Sequence, residues 1–376
     1  MRKALWVLLA GLLLLGAASG ANAADEKFYA ITELPPVFQE NPDARSFATA
    51  INEDGNVVGT SVDVGYISVS HATLWFRTAP NLPIDLDPSG TNSSGLGINN
   101  SDTVVGMAFI NGWGEAVGWE STGSMVRLNP GETGVASAIA KSFTFITVGQ
   151  HAGLKPCRFH SDYPPESLGK PGDSGSAEAV SEFGATWIIV GTISAVDTGN
   201  HNCAAILYEG DRTLLAPLSS GRGCGAHGVN KFGYVVGHAI DSLFNRQAVI
   251  WYFGVEDPVV LGTLGGNYNT AQAINNKNEV VGHASIPDDL TYFTRAFYCK
   301  AGGGMVDLNT RLTTQDQQNW LLTEAYGIND KGQIVGWGIY GPNTGSPKKR
   351  GFLLTPISKK AMAIAEVLIM LLLSEP

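Results

Sequence analysis

From residue 28 to about residue 356 the apolar positions do not recur with a helical period. They come in short runs rich in Val, Ile and aromatic residues, separated by Gly, Asn and Asp. This is the patterning of β-strands and turns. One run repeats almost unchanged: AINEDGNVVG at 50, GINNSDTVVG at 97, GVNKFGYVVG at 228, AINNKNEVVG at 273 and GINDKGQIVG at 327, with eroded copies AIAKSFTFITVG at 138 and AVSEFGATWIIVG at 179. The closing glycines are Gly59, Gly106, Gly149, Gly191, Gly237, Gly282 and Gly336, spaced 47, 43, 42, 46, 45 and 54 residues apart.

Each copy predicts a hairpin, because its turn residues tolerate positive φ and its β-branched residues favour the pleat. A third apolar run follows (HATLW at 71, EAVGW at 115, AAILY at 204, QAVIW at 247, RAFYC at 295), then a fourth (LPIDLD at 82, SMVRLN at 124, PVVLGTL at 258, GMVDLN at 304). Four strands per unit of this length predict an all-β fold, a seven-bladed β-propeller spanning residues 24–356. The last unit lacks a fourth strand after GFLLTP at 351, whereas FYAITEL at 28–34 has no unit of its own. The ring is therefore expected to close by pairing this N-terminal strand with the last blade near Phe352 to Leu354, leaving no sheet edge exposed.

The Asn after the isoleucine or valine, at 52, 99, 230, 275 and 329, resembles a metal ligand, with Asp54 or Asp330 nearby. Most copies lack the acidic companions that calcium needs, so a cap on the hairpin's own backbone is expected. The third-strand aromatics Trp75, Trp119, Phe159, Tyr208 and Trp251, with Cys299 in the same slot of unit six, are expected in the core.

AIN, a turn, VVG and a strand like HAxLW, with LGTLGG at 261–266, together resemble the HAF family of extracellular repeat proteins. The naming triplet is eroded here: Thr73 follows His71-Ala72, and Arg295 precedes Ala296-Phe297. The resemblance implies export and a repeat scaffold, and it carries no catalytic residue.

Residues 1–23 read as a signal peptide: Arg2 and Lys3, an apolar stretch from Ala4 to Leu15, and Ala21-Asn22-Ala23 as the cleavage signal. A secreted, cell-surface or periplasmic location is expected; the apolar run is short for a retained anchor. Cleavage removes two cations and no acid, taking the formal charge from -10 to -12, which disfavours nucleic acid as a partner. The apolar tail 357–376, interrupted by Glu366, reads as an attachment signal, an amphipathic helix or a helix packed on the ring. Of the four cysteines, Cys203 and Cys224 belong to one unit and are expected to form a disulfide closing a short loop.

GDSGS at 172–176 imitates the surroundings of a protease nucleophile, but it occupies the same inter-blade connection as GGNYN at 265–269, so Ser174 is expected to be structural. The seven histidines show no zinc-binding spacing, and His238 and His283 follow repeat glycines, so no metal and no cofactor is expected.

The joins between second and third strands (60–70, 107–114, 192–202, 283–294, 337–350) and the enlarged exit 310–324 vary in sequence and fall on one face. Variable loops on a rigid scaffold are where binding residues collect. Tyr66, Trp113, Tyr292, Trp320 and Tyr340 are the candidate contacts for a glycan or protein there. The expectation is an exported monomeric repeat scaffold that binds without catalysing, with membrane contact only through the tail. The alternative is a propeller lyase or hydrolase acting on a glycan or peptide. That enzyme would bring two or more ionisable side chains from different blades into hydrogen-bond reach in one pocket.

Overall fold

The computed structural model describes residues 27–65, 68–89, 92–121, 123–142, 146–160, 164–194, 201–255, 257–287, 294–300 and 302–373. The expected signal peptide at 1–23 lies outside them.

The chain forms seven four-stranded antiparallel sheets. The first strands of the blades are Arg45–Ile51, Ser93–Ile98, Gly134–Ile139, Ser174–Phe183, Cys224–Val229, Asn269–Ile274 and Trp320–Ile328. Each packs against the first strand of the next blade, and the seventh against the first, so they form the inner wall of a ring. The outermost strands of blades one to six are short, as in Ile84–Asp85 and Val306–Asp307. Blade seven takes its outermost strand from the N-terminal segment: Phe28–Leu34 runs antiparallel to Lys348–Ile357, with Ile31 opposite Leu354 and Glu33 opposite Phe352. The seam is reinforced by Arg350, whose Nε donates to Glu33 at 3.0 Å, and by Ser46, whose hydroxyl accepts from Gly351 N at 3.0 Å.

The repeat glycine has a specific steric cause. In every blade the first strand carries a β-bulge opposite it, as between Ala48 and Ala50 or Ala226 and Gly228. A Cβ on Gly59, Gly106, Gly149 or Gly237 would stand 1.9 Å from a carbonyl oxygen of that strand, and one on Gly191, Gly282 or Gly336 would stand 2.0 Å from it. No side chain fits there, so bulge and glycine are two halves of one device.

The repeated asparagine caps its hairpin. Asn52 Oδ1 accepts from Asn56 N at 2.9 Å, and Asn230, Asn275 and Asn329 accept from two backbone N–H groups each, at 3.0 to 3.1 Å. The same side chains also clasp the next blade. Asn52 Nδ2 donates to Asn99 O, Asn230 to Asn275 O, Asn275 to Asn329 O and Asn329 to Asn52 O, at 2.9 to 3.1 Å. All of these asparagines are buried, and buried amides that are fully satisfied hold the blade spacing.

Trp75, Trp119, Phe159, Trp251 and Cys299 are buried at their third-strand slot. Tyr208 departs from expectation, being 48% exposed. Leu207 pairs with Ile189 just as Trp75 pairs with Val57, so Leu207 fills the slot and Tyr208 falls one residue beyond it.

Cys203 and Cys224 are free thiols in this structure, without the expected disulfide. Cys224 Sγ accepts from the N–H of Ala204 at 3.3 Å, while Cys203 Sγ turns to the carbonyl of His201 at 3.4 Å, so neither thiol is directed at the other.

The exit 310–324 contains the short α-helix Thr314–Asn319, and the tail forms the α-helix Lys359–Leu373. The N–H of Thr314 donates to Glu366 Oε1 at 2.7 Å, which ties the tail to the ring. No helix among the described residues is long and apolar enough to cross a membrane.

Candidate functional site in the central channel

The bulges determine what faces the middle of the ring. In each first strand one residue between two small ones is pushed out of register: Thr49, Leu96, Ser137, Glu178, His227, Gln272 and Tyr326. All seven line a single central cavity of about 570 Å³. The flanking residues are small because the strands are crowded at the axis; a Cβ on Gly97 would stand 3.2 Å from Ala138 Cα, and one on Gly228 3.1 Å from Ala273 Cα. The scaffold thus presents seven chemically different side chains at one level of one channel. On the side of the repeated turns the channel opens into a vestibule of about 370 Å³ bearing Glu53, Lys141, Lys231 and Asp330. Lys141 Nζ of blade three reaches Glu53 Oε1 of blade one at 2.9 Å across this mouth.

The polar side of the ring continues as a connected cluster across four blades. His227 Nδ1 is 2.6 Å from Glu178 Oε2, and His227 Nε2 is 2.9 Å from His238 Nδ1. Arg246 Nη2 donates to the same His238 Nδ1 at 2.9 Å, and Arg246 Nη1 donates to the Tyr268 hydroxyl at 3.1 Å. The Tyr268 ring stacks on His283, with centroids 6.0 Å apart, and His283 Nδ1 lies 4.0 Å from Glu324 Oε2, which accepts from the Tyr326 hydroxyl.

The proton positions follow from geometry. A guanidinium only donates, so His238 Nδ1 is an acceptor and His238 is neutral. Burial, then the charge of Arg246, pushes His238 down to about 2, in agreement. The one lone pair of that nitrogen is taken by Arg246, and His227 Nε2 lies beside it at 2.9 Å. His227 Nδ1 is hydrogen-bonded to the Glu178 carboxyl at 2.6 Å, linking blades four and five. Burial also lowers His283 to about 4, while Glu324 pulls the other way. Tyr326 is held well above the usual phenol range by burial and by Glu324, so it remains a neutral donor.

Of the residues chosen on the variable-loop face, Tyr66 and Tyr292 lie outside the described residues. Trp113, in blade two, is 62% exposed. Trp320 is buried in blade seven, and Tyr340, 38% exposed, packs on it with ring centroids 5.2 Å apart. The structure brings Tyr340 and Trp320 together and leaves Trp113 in another blade. Asp173 of GDSGS is buried against Arg212 Nε at 2.9 Å, which supports a structural role for that stretch. A further cavity, about 780 Å³, is an apolar groove lined by residues of blades four and five, including Cys203, Cys224 and Trp251; its lining contains no pair like Glu178 and His227. No group of three His, Cys, Asp or Glu that could hold a metal ion occurs among the described residues.

The sequence reading missed the bulge residues. The signal was the variable position in small-x-small-Ile-Asn, as in Ala48-Thr49-Ala50 and Ala226-His227-Gly228. His238 and His283 follow repeat glycines, stand opposite Gly225 and Thr270 next to the bulges, and both belong to the cluster.

No family model matches the chain, and no curated protein matches it. Among solved structures, it resembles TolB from Acinetobacter baumannii (12% identity, TM-score 0.35, covering 71% of this chain). The chain spans about half, 52%, of the length of that protein. It also resembles an arginine-to-alanine triple mutant of AofleA from Arthrobotrys oligospora (12% identity, TM-score 0.36, covering 90% of this chain and 92% of that one).

Proposed function

We propose that this protein is an exported propeller that binds a polar organic ligand, a glycan or a peptide, in its central channel. The observation that carries the reading is the ring of seven bulge residues, constant in position and different in chemistry, on one cavity. A scaffold that only filled space would repeat one residue there, as it does at the flanking small positions. Export rests on Arg2, Lys3 and the apolar stretch before Ala23; protein recovered outside the cytoplasm should begin near Ala24. Screening the full chain against glycan and peptide arrays tests the binding. Hits that Glu178→Gln and Gln272→Ala leave unchanged would refute the channel as their site.

A second reading, a hydrolase or lyase, is favoured by the 2.6 Å hydrogen bond between Glu178 and His227 across two blades. A carboxyl–imidazole pair facing a cavity can deliver a proton to a leaving group and recover it from water. If it does so here, Glu178→Gln and His227→Gln abolish turnover in protein that stays folded. If the protein only binds, no array hit is converted by the wild type.

A further inference from the structure

The apolar groove of about 780 Å³ lies on the rim of the ring, between the outer strands of blade four and blade five. It follows the third strand of blade four, Asn202–Tyr208, over about 20 Å. At the variable-loop face it begins with His201 and Arg222, and on the side of the repeated turns it ends at Tyr208 and Phe253; Ile206, Leu215 and Trp251 line the wall between. The space has a local cause. Ile206 and Tyr208 point to the face of their strand opposite Leu207, which fills the core slot. The chain bordering them turns through Gly221 and Gly254, and no atom lies within 4 Å of where a Cβ on either would stand.

The groove is chemically one-sided. Its lining holds no Asp or Glu, although the chain carries 34 of them, and its one permanent charge is Arg222. That guanidinium lies over the Phe244 ring, 3.6 Å from the centroid, and among the described residues its N–H groups meet no acceptor and no carboxylate. Phe244 is 69% exposed and holds a left-handed φ of 65°, uncommon for a bulky residue. Its turn is fixed by Asp241 Oδ1, which accepts from Leu243 N and Asn245 N at 2.9 Å each. A rigid turn thus holds a cation at one end of an apolar groove.

Such a groove suits a molecule with an apolar body and an anionic head. We propose that it binds a free long-chain fatty acid, the chain lying along Ile206, Leu215 and Trp251 and the carboxylate paired with Arg222. A guanidinium holds a carboxylate through two parallel N–H donors, and each methylene withdrawn from water adds to the affinity. The groove shares no residue with the central channel, so the proposal stands apart from the channel reading.

Cys203 lines the groove and is partly exposed, so its reactivity reports occupancy. The full chain is titrated with laurate, 1-dodecanol and dodecyl phosphate below their micellar range, by calorimetry and by the rate at which iodoacetamide alkylates Cys203. Laurate should saturate a single site and slow the alkylation, and 1-dodecanol, the same chain without the carboxylate, should bind at least about tenfold more weakly. Arg222→Gln should reduce laurate to the affinity of 1-dodecanol and leave 1-dodecanol unchanged. Ala216→Trp, which fills the groove, should abolish both; if that variant does not fold, Thr213→Trp on the exposed outer strand takes its place. Laurate uptake that does not saturate, unchanged alkylation of Cys203, a preference for laurate that survives Arg222→Gln, or binding that survives the tryptophan in folded protein would overturn the proposal. Tighter binding of dodecyl phosphate than of laurate would overturn the free acid as occupant and assign the groove to a phosphate head group.

Discussion

Asn329 donates its side-chain N–H to the carbonyl of Asn52 at 3.0 Å, joining residues 277 positions apart and closing the clasp between the last blade and the first. The same side chain accepts from Lys331 N and Gln333 N. Asn329→Ala therefore takes this partner from two backbone donors and from two acceptors, the Asn52 carbonyl and Gln333 Oε1, in a fully buried place. A loss of about 2–3 kcal/mol is expected. Asn329→Asp keeps the cap but turns a carboxylate toward the Asn52 carbonyl, and should be no better. Chemical denaturation of the two variants checks this; a loss below about 0.5 kcal/mol would mean that the clasp carries no load.

Acid should weaken the fold through His283. Its pKa is lowered to about 4 in the native protein, mainly by burial, with Arg246 and His227 adding and Glu324 opposing. Unfolded, it titrates at about 6.5. The unfolded chain then binds more protons below that pH, so the contribution of this residue is complete above about 6.5 and is lost as pH falls toward 4, amounting to about 3 kcal/mol at most. The Tm of His283→Gln should fall less steeply than that of wild type between these values. Parallel slopes would show that His283 does not titrate as its burial implies.

The cysteines should behave as four thiols of unequal access. Cys203 is partly exposed, whereas Cys157, Cys224 and Cys299 are buried, and burial pushes Cys224 and Cys299 up to about 11. Native protein treated with iodoacetamide should be alkylated at Cys203 alone, and denatured protein at all four without reductant. A mass two protons short and an unreactive Cys203 would restore the disulfide.

The ring was legible because its determinants recur in kind. Gly59 and its six counterparts are forced by a carbonyl at the site of their Cβ, and Asn52 and its equivalents by the backbone donors of their own hairpins, so both appear as repeats. Closure by Phe28–Leu34 was legible from the missing strand. Tyr208 was misplaced by a one-residue offset that a worn repeat does not reveal. The channel residues were hidden for the opposite reason. A bulge fixes where Thr49, Glu178, His227 and Tyr326 point and leaves their identity free, so an alignment of repeats treats the functional position as noise. The Arg246–Tyr268–His283 bridge joins residues whose proximity depends on how blade five meets blade six, which no local pattern encodes.

The central claim is that ligands enter the channel and do not sit on the variable loops. The direct measurement is the affinity of array-selected ligands for two sets of folded variants: Leu96→Trp and Ser137→Trp, which fill the channel at two bulges, and Trp113→Ala and Tyr340→Ala, which strip the loop face. The account predicts that the tryptophans weaken binding at least about tenfold, as overfilling a packed pocket does, while the loop variants bind as wild type. Binding that survives both tryptophans and is lost with Trp113 or Tyr340 would contradict it.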